Sequence, residues 1–193
     1  MAIEFEVKFR ATPEILEQLR NELPGEEQVI QMQTTYYDTP SEAYAQRYCT
    51  LRCRRENEKN ICTLKAPAQG YGRREWETEC SGIEDGLKKL CKLGVPEELL
   101  ALAEEGLTPV CGARFTRRAK LLQVGDGTAE VALDQGVLMG GGKEIPLCEM
   151  EVERKTCSQE ACVVFAAKLA QRYGLVREER SKFRRAQALY KGE

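Results

Sequence analysis

Residues Ile3-Glu4-Phe5-Glu6-Val7-Lys8-Phe9-Arg10 alternate apolar and charged without a break. A β-strand sends successive side chains to opposite faces, so Ile3, Phe5, Val7 and Phe9 line one side and Glu4, Glu6, Lys8 and Arg10 the other. In a single strand the charged side is ordinary solvated surface. Here the pattern recurs along the chain. Arg52 and Arg54 oppose Leu51 and Cys53, and Thr63 and Lys65 oppose Cys62 and Leu64. Arg73, Glu75, Glu77 and Glu79 oppose Trp76 and Cys80, Glu130 and Asp134 oppose Val131 and Leu133, and Glu149, Glu151 and Glu153 oppose Met150 and Val152. Arg117 falls on a polar face as well.

Agreement among so many strands suits a sheet whose apolar side lies under helices and whose charged side faces a common interior. Unpaired ions in a dry interior cost several kcal/mol each, so that interior must be wet, with its charges matched by each other or by ligands. Both signs are informative. Converging lysines and arginines suit a polyanion rich in equivalent oxygens, since guanidinium pairs bidentately with phosphate. Carboxylates two residues apart, as in Glu4 with Glu6 and Glu151 with Glu153, suit hard divalent cations that bridge to phosphate. The combination describes a metal-polyphosphate site.

The remaining segments supply the covering helices. Thr12 caps a helix that starts at Pro13 and is stopped by Pro24-Gly25. Strand patterns follow over 29–38, 48–55 and 61–65, and Ala66 to Gly72 reads as a loop before a strand over 73–80. Ser81 with Glu84 has the form of a capping box opening a helix to Leu93, and Pro96 begins another to about Glu105. A second strand group runs over 110–124, 128–134 and 145–155, with Gly140 to Gly142 as a flexible turn. Ser158 caps a helix ended by Gly174, and a last helix spans about Ser181 to Tyr190. The expected fold class is α+β, with about eight strands and four or five helices, and a single domain over residues 1–193.

Composition removes several function classes. With 29 basic and 31 acidic residues the net charge is −2, so a protein devoted to nucleic acid or to an anionic membrane is not expected. Histidine is absent, which excludes imidazole zinc ligands and a histidine base. The nine cysteines are odd in number and contain no C-x-x-C pair, and read as reduced core thiols. No basic-then-apolar leader stands at the start and no apolar run approaches the roughly 20 residues of a membrane span, so a cytoplasmic location is expected. The run Arg177 to Arg185 reads as solvated helix surface.

The opening Glu4-Phe5-Glu6-Val7-Lys8 resembles the ExExK signature of the CYTH superfamily, also called triphosphate tunnel metalloenzymes. Further segments match in order: Thr35 to Pro40, Leu51 to Arg54, Thr63 to Lys65, Arg73 to Glu77, Arg117, Ala132 to Gly136, Glu149 to Glu153, and Ser181-Lys182. The resemblance implies an eight-stranded antiparallel β-barrel with a charged bore and flanking helices. Within the superfamily the bacterial inorganic triphosphatases look most similar, through the YYDTP, ALDQG and CEMEVE segments.

By that resemblance Lys8, Arg52, Arg54, Lys65, Arg117 and Lys182 bind the triphosphate. Glu4, Glu6, Asp134, Glu149, Glu151 and Glu153 are the candidate ligands of Mg2+ or Mn2+, and Glu4, Glu6 and Lys8 the candidate catalytic residues. Glu75 and Glu77 are either ligands or structural partners of the basic residues. The implied reaction is hydrolysis of inorganic triphosphate to diphosphate and phosphate, which asks chiefly for positioning and charge neutralisation. Thiamine triphosphatase and class IV adenylate cyclase share the fold, and a noncatalytic polyphosphate- or nucleotide-binding module is the alternative of another class. The resemblance allows a monomer or a homodimer.

Overall fold

The computed structural model describes residues 2–68 and 73–192, with residues 2–4 described through their backbone alone. The alternating first segment forms two strands, β1 (Ala2–Glu4) and β2 (Glu6–Arg10), interrupted at Phe5. They are followed by β3 (Gln28–Asp38), β4 (Thr50–Glu56), β5 (Lys59–Pro67), β6 (Arg73–Glu79), β7 (Thr108–Val124), β8 (Gly127–Gly140), β9 (Lys143–Arg154) and β10 (Val176–Arg177). All join one antiparallel sheet in the order β1-β6-β5-β4-β3-β7-β8-β9-β2-β10. The break at Phe5 and the two-residue β10 account for ten strands where the sequence pattern marks eight. β1 pairs with β6 at one end of this order, while β2, two residues further along the chain, pairs with β9 near the other. Of the loop expected from Ala66 to Gly72, the first two residues finish β5, and residues 69–72 lie outside the described residues.

The helices are α1 (Pro13–Glu22), α2 (Ala43–Gln46), α3 (Ile83–Lys92), α4 (Glu97–Leu100), α5 (Gln159–Tyr173) and α6 (Lys182–Lys191), with a 3-10 turn over Ala101–Glu105. Thr12 and Ser158 cap α1 and α5 as expected, and Ser181 caps α6, each side-chain oxygen accepting from a backbone N–H three residues on. The capping box at Ser81 does not form as written. The N-cap is Gly82, and the carboxylate that reaches back to the Ser81 N–H is Asp85, not Glu84. The short α2 has no sequence periodicity to announce it. It is made by buried Asp38, whose carboxylate accepts from the backbone N–H groups of Thr39, Tyr44 and Ala45, at 2.8, 2.9 and 3.0 Å. That is the structural role of the acid in YYDTP.

Three apolar clusters hold these elements. α1 and α5 cover Val7, Phe9, Val131, Leu133, Met150 and Val152 on one side of the sheet. α2 and α3 cover Leu51, Cys62, Leu64 and Trp76. Each of these is the apolar half of an alternating strand, so the charged halves are left on the opposite face. The third cluster departs from that rule. Ala113 and Phe115 share a face of β7 with Arg117, and Leu147 shares one with Glu149, yet they are buried against Phe183 and Ala186 of α6. α6 therefore lies on the charged face and covers its apolar end.

Gly140 makes that docking possible. A Cβ on Gly140 would stand 2.3 Å from Ala186 O and 2.8 Å from Tyr190 N. Gly140 and Gly141 thus form a close-packed seat for α6, while Gly141-Gly142 make the turn between β8 and β9 that composition suggests.

Candidate active site

The charged face converges. Glu6 and Lys8 of β2, Arg52 and Arg54 of β4, Lys65 of β5 and Arg117 of β7 line one cavity of about 130 Å³. Glu151 of β9 and Lys182 of α6 reach the same space, with Phe115 and Tyr36 as its apolar floor. Adjacent strands place the basic groups in register: Arg52 stands opposite Thr63, and Lys65 opposite Glu75.

Each cation on the β4–β5 side has a carboxylate beside it. Glu75 lies 3.7 Å from Arg52 and 3.3 Å from Lys65. Arg54 pairs with Glu56 and lies 3.6 Å from Glu77, which also accepts from Thr63 Oγ1 at 3.0 Å. Glu75 and Glu77 are thus partners of the basic wall. Burial pulls the Arg54 pKa down, and the neighbouring Arg52 adds to that effect. Lys8 donates to Glu6 at 2.8 Å. Burial opposes its charge, but Glu6 and Glu151 outweigh burial and hold its pKa above the ordinary lysine value.

On the β8–β9 side, Asp134, Glu149 and Glu151 are all buried, and one oxygen from each lies within 4.8 Å of the others. Three cations meet them. Arg117 donates to Asp134 at 2.8 and 2.7 Å and also to Glu151. Lys182 Nζ is 2.8 Å from Asp134 and 2.7 Å from Glu151, and it contacts Glu149. Arg185 pairs with Glu149. The two glutamates respond in opposite directions. Burial raises the Glu149 pKa more than Lys182 lowers it. For Glu151 burial is overcome by Lys182, Arg117 and Lys8, and its carboxyl is held well below the usual range.

Residues 2–186 match the family model described as CYTH domain. The chain belongs to the CYTH domain family. It is 29% identical to the inorganic triphosphatase of Haemophilus influenzae over 164 residues, covering 81% of this chain and 46% of that protein. The chain thus spans about half the length of this curated relative. A proposed adenylyl cyclase from Hippeastrum, described as having a dominant triphosphatase activity, superposes with a TM-score of 0.67 at 20% identity, covering 100% of this chain and 96% of that one. A Pyrococcus horikoshii protein superposes with a TM-score of 0.65 at 22% identity, covering 98% and 99%. At these identities the likeness is one of fold.

Most candidate residues of this CYTH domain meet as the sequence suggests. Glu6, Lys8, Arg52, Arg54, Lys65, Arg117, Glu151 and Lys182 share the cavity, and Asp134 and Glu149 sit behind Lys182. Glu153 does not join the buried group: it is partly exposed and pairs with Lys155 at 2.9 Å. Glu4 belongs to β1 and stands opposite Arg73, but its side chain lies outside the described residues. Tyr36 and Tyr37 part to opposite faces, Tyr36 against Phe183 and Tyr37 toward the α3 cluster.

Two residues without an assigned role in the sequence reading belong to the site. Arg73 lines the cavity and donates to the carbonyls of Tyr48 and Lys65. Arg185, expected as solvated surface, is mostly covered and pairs with Glu149. Its signal was available in the sequence, because residues three apart share a helix face and Lys182 is three residues earlier. Which face α6 turns inward was not available, since that depends on the apolar seat around Gly140.

Proposed function

We propose that this CYTH domain, taken as one unit over residues 1–193, is a metal-dependent inorganic triphosphatase that converts triphosphate and water to diphosphate and phosphate. The observation that carries the reading is the single cavity to which four strands and α6 contribute Lys8, Arg52, Arg54, Lys65, Arg117 and Lys182. A chain of phosphoryl groups matches such a set because every phosphate offers equivalent anionic oxygens to ammonium and guanidinium donors. The similarity to a protein named inorganic triphosphatase points the same way.

In this reading the sheet acts as a closed eight-stranded barrel, its bore running between the β4–β5 and β8–β9 walls. The pairing of β1 with β6 and of β2 with β9 supports that closure, because one short stretch of chain joins both ends of the sheet. The basic wall holds the triphosphate extended and spreads the charge that develops as the terminal P–O bond breaks. Water oxygen bonds to the terminal phosphorus in line as the P–O bond to diphosphate breaks, diphosphate leaves with that electron pair and takes up the proton the water sheds, and Glu6 would orient the water.

The donor chemistry of Asp134, Glu149 and Glu151, three hard oxygens in one buried cluster, fits Mg2+ or Mn2+, with Glu4 and Glu6 as further candidates. A bound ion would supply positive charge across the phosphate oxygens. Nine free thiols accord with a cytoplasmic enzyme. No helix among the described residues is long and apolar enough to cross a membrane.

The test is phosphate release from triphosphate with Mg2+ or Mn2+, compared with Glu6→Gln and Lys65→Met. Release that falls about 100-fold or more in either variant supports the assignment. Release no greater than in the variants rejects it, and cyclic AMP formed from ATP faster than phosphate would replace it with a cyclase.

A further inference from the structure

The carboxylate cluster behind the cavity is already neutralised by the protein's own cations. Asp134, Glu149 and Glu151 face Arg117, Lys182 and Arg185, three charges against three. The two arginines hold the cluster from its sides, Arg117 on Asp134 and Glu151, Arg185 on Glu149. Among the described residues only Lys182 touches all three acids. Its ammonium rests 2.8 Å from Asp134 and 2.7 Å from Glu151, beside Glu149. Glu149 Oε1 is fully buried and rests directly against the Lys182 ammonium.

We infer that Lys182 is a resident cation standing where a divalent ion would bind, so that metal entry displaces its ammonium from the three carboxylates toward the anion in the cavity. The identity of that anion rests on the triphosphatase reading. The displacement itself does not.

Elementary electrostatics supports the exchange. A divalent ion brings twice the charge of an ammonium to the same three carboxylates, whose hard oxygens suit it. Two cations cannot share that point without repulsion, so Lys182 must leave when a metal arrives. It has somewhere to go. Lys182 already lines the cavity with Lys8, Arg52 and Arg117, and its four-carbon stem swings freely compared with a guanidinium fork. The Phe115 ring lies 5.2 Å from Nζ, a face over which the ammonium can move without losing all favourable contact. Exchange consists only of breaking N–H···O contacts and making metal–oxygen ones, with no covalent change. The consequence is linkage: an anion that holds Lys182 in the cavity tightens metal binding, and metal tightens anion binding by the same factor.

The experiment uses no triphosphate. Mn2+ affinity of the full chain is measured by calorimetry for wild type, Lys182→Met and Lys65→Met. Lys65→Met removes an equal charge from the same cavity, at a residue paired with Glu75 rather than with the cluster. Lys182→Met is expected to bind Mn2+ about tenfold more tightly than wild type, and Lys65→Met within about twofold of it. Equal gains in both variants, unchanged or weaker binding in Lys182→Met, or no binding by any of the three overturns the inference.

Should Lys182→Met fail to fold, wild type answers alone. The 15N signal of the Lys182 ammonium, assigned through its side-chain carbons, should move when Mg2+ saturates the protein. A signal unmoved at saturation overturns the inference. Failure of triphosphate hydrolysis would sink the functional reading and leave both of these measurements standing.

Discussion

Arg117 and Asp134 stand directly opposite each other on β7 and β8 and are joined by two parallel hydrogen bonds, Nε to Oδ1 at 2.8 Å and Nη2 to Oδ2 at 2.7 Å. Asp134 is fully buried, so its removal leaves the guanidinium and the Lys182 ammonium short of a counter-charge in a desolvated place. Asp134→Ala should therefore cost about 3–5 kcal/mol of stability, read from denaturant midpoints. A loss under about 1 kcal/mol would mean that the neighbouring glutamates absorb both cations.

Glu75 predicts a gain. It stands between Arg52 and Lys65 and competes with any anion for both. Glu75→Gln removes that competition while keeping the shape of the side chain, so the KM for triphosphate should fall by about three- to tenfold. A rise in KM would show that Glu75 aims the two cations rather than restraining them.

Gly140 links packing to chemistry from outside the cavity. A methyl group at this position would press on the α6 backbone at 2.3 Å, and α6 carries Lys182 and Arg185. Gly140→Ala should destabilise by about 1–3 kcal/mol and also lower triphosphatase activity in the fraction that remains folded. Activity per folded molecule equal to wild type would show that α6 can shift without moving its cations.

Acid should unfold the protein partly through Glu151. Its carboxyl is held below the usual range, so the folded state keeps it ionised where the unfolded chain takes up a proton. The stability it contributes is present above the ordinary glutamate value of about 4.3 and is lost as pH falls below it. Glu149 has the opposite sign: with its pKa raised by burial, its contribution grows as pH falls toward the ordinary value. Melting temperatures between pH 7 and pH 3 should fall on the acid side in wild type and fall less in Glu151→Gln. Parallel curves would remove Glu151 as the cause.

Much of the site is legible because strand alternation is a local rule. Once Val7, Leu51, Leu64 and Val152 are fixed beneath helices, Lys8, Arg52, Lys65 and Glu151 have no choice of face. The failures occur where alternation is not the deciding force. Ala113, Phe115 and Leu147 lie on the charged face and are apolar, which makes sense only with α6 seated over them. Glu153 follows the same pattern as Glu149 and Glu151 yet pairs with Lys155 away from the cavity, because its position along the strand puts it beyond the reach of Lys182.

The sequence by itself determined which side chains share a face, where the caps and turns fall, and that cations and carboxylates would have to meet in a wet interior. These follow from the period of the strand and from the cost of isolating a charge. Only the tertiary structure decided which charges pair. Arg185 reaches Glu149, Lys182 reaches three acids at once, and Glu75 serves two cations because residues tens of positions apart, or on strands that turn back on one another, come within 4 Å. Coulomb attraction at that range depends on separation through space, and no local pattern in the chain encodes it.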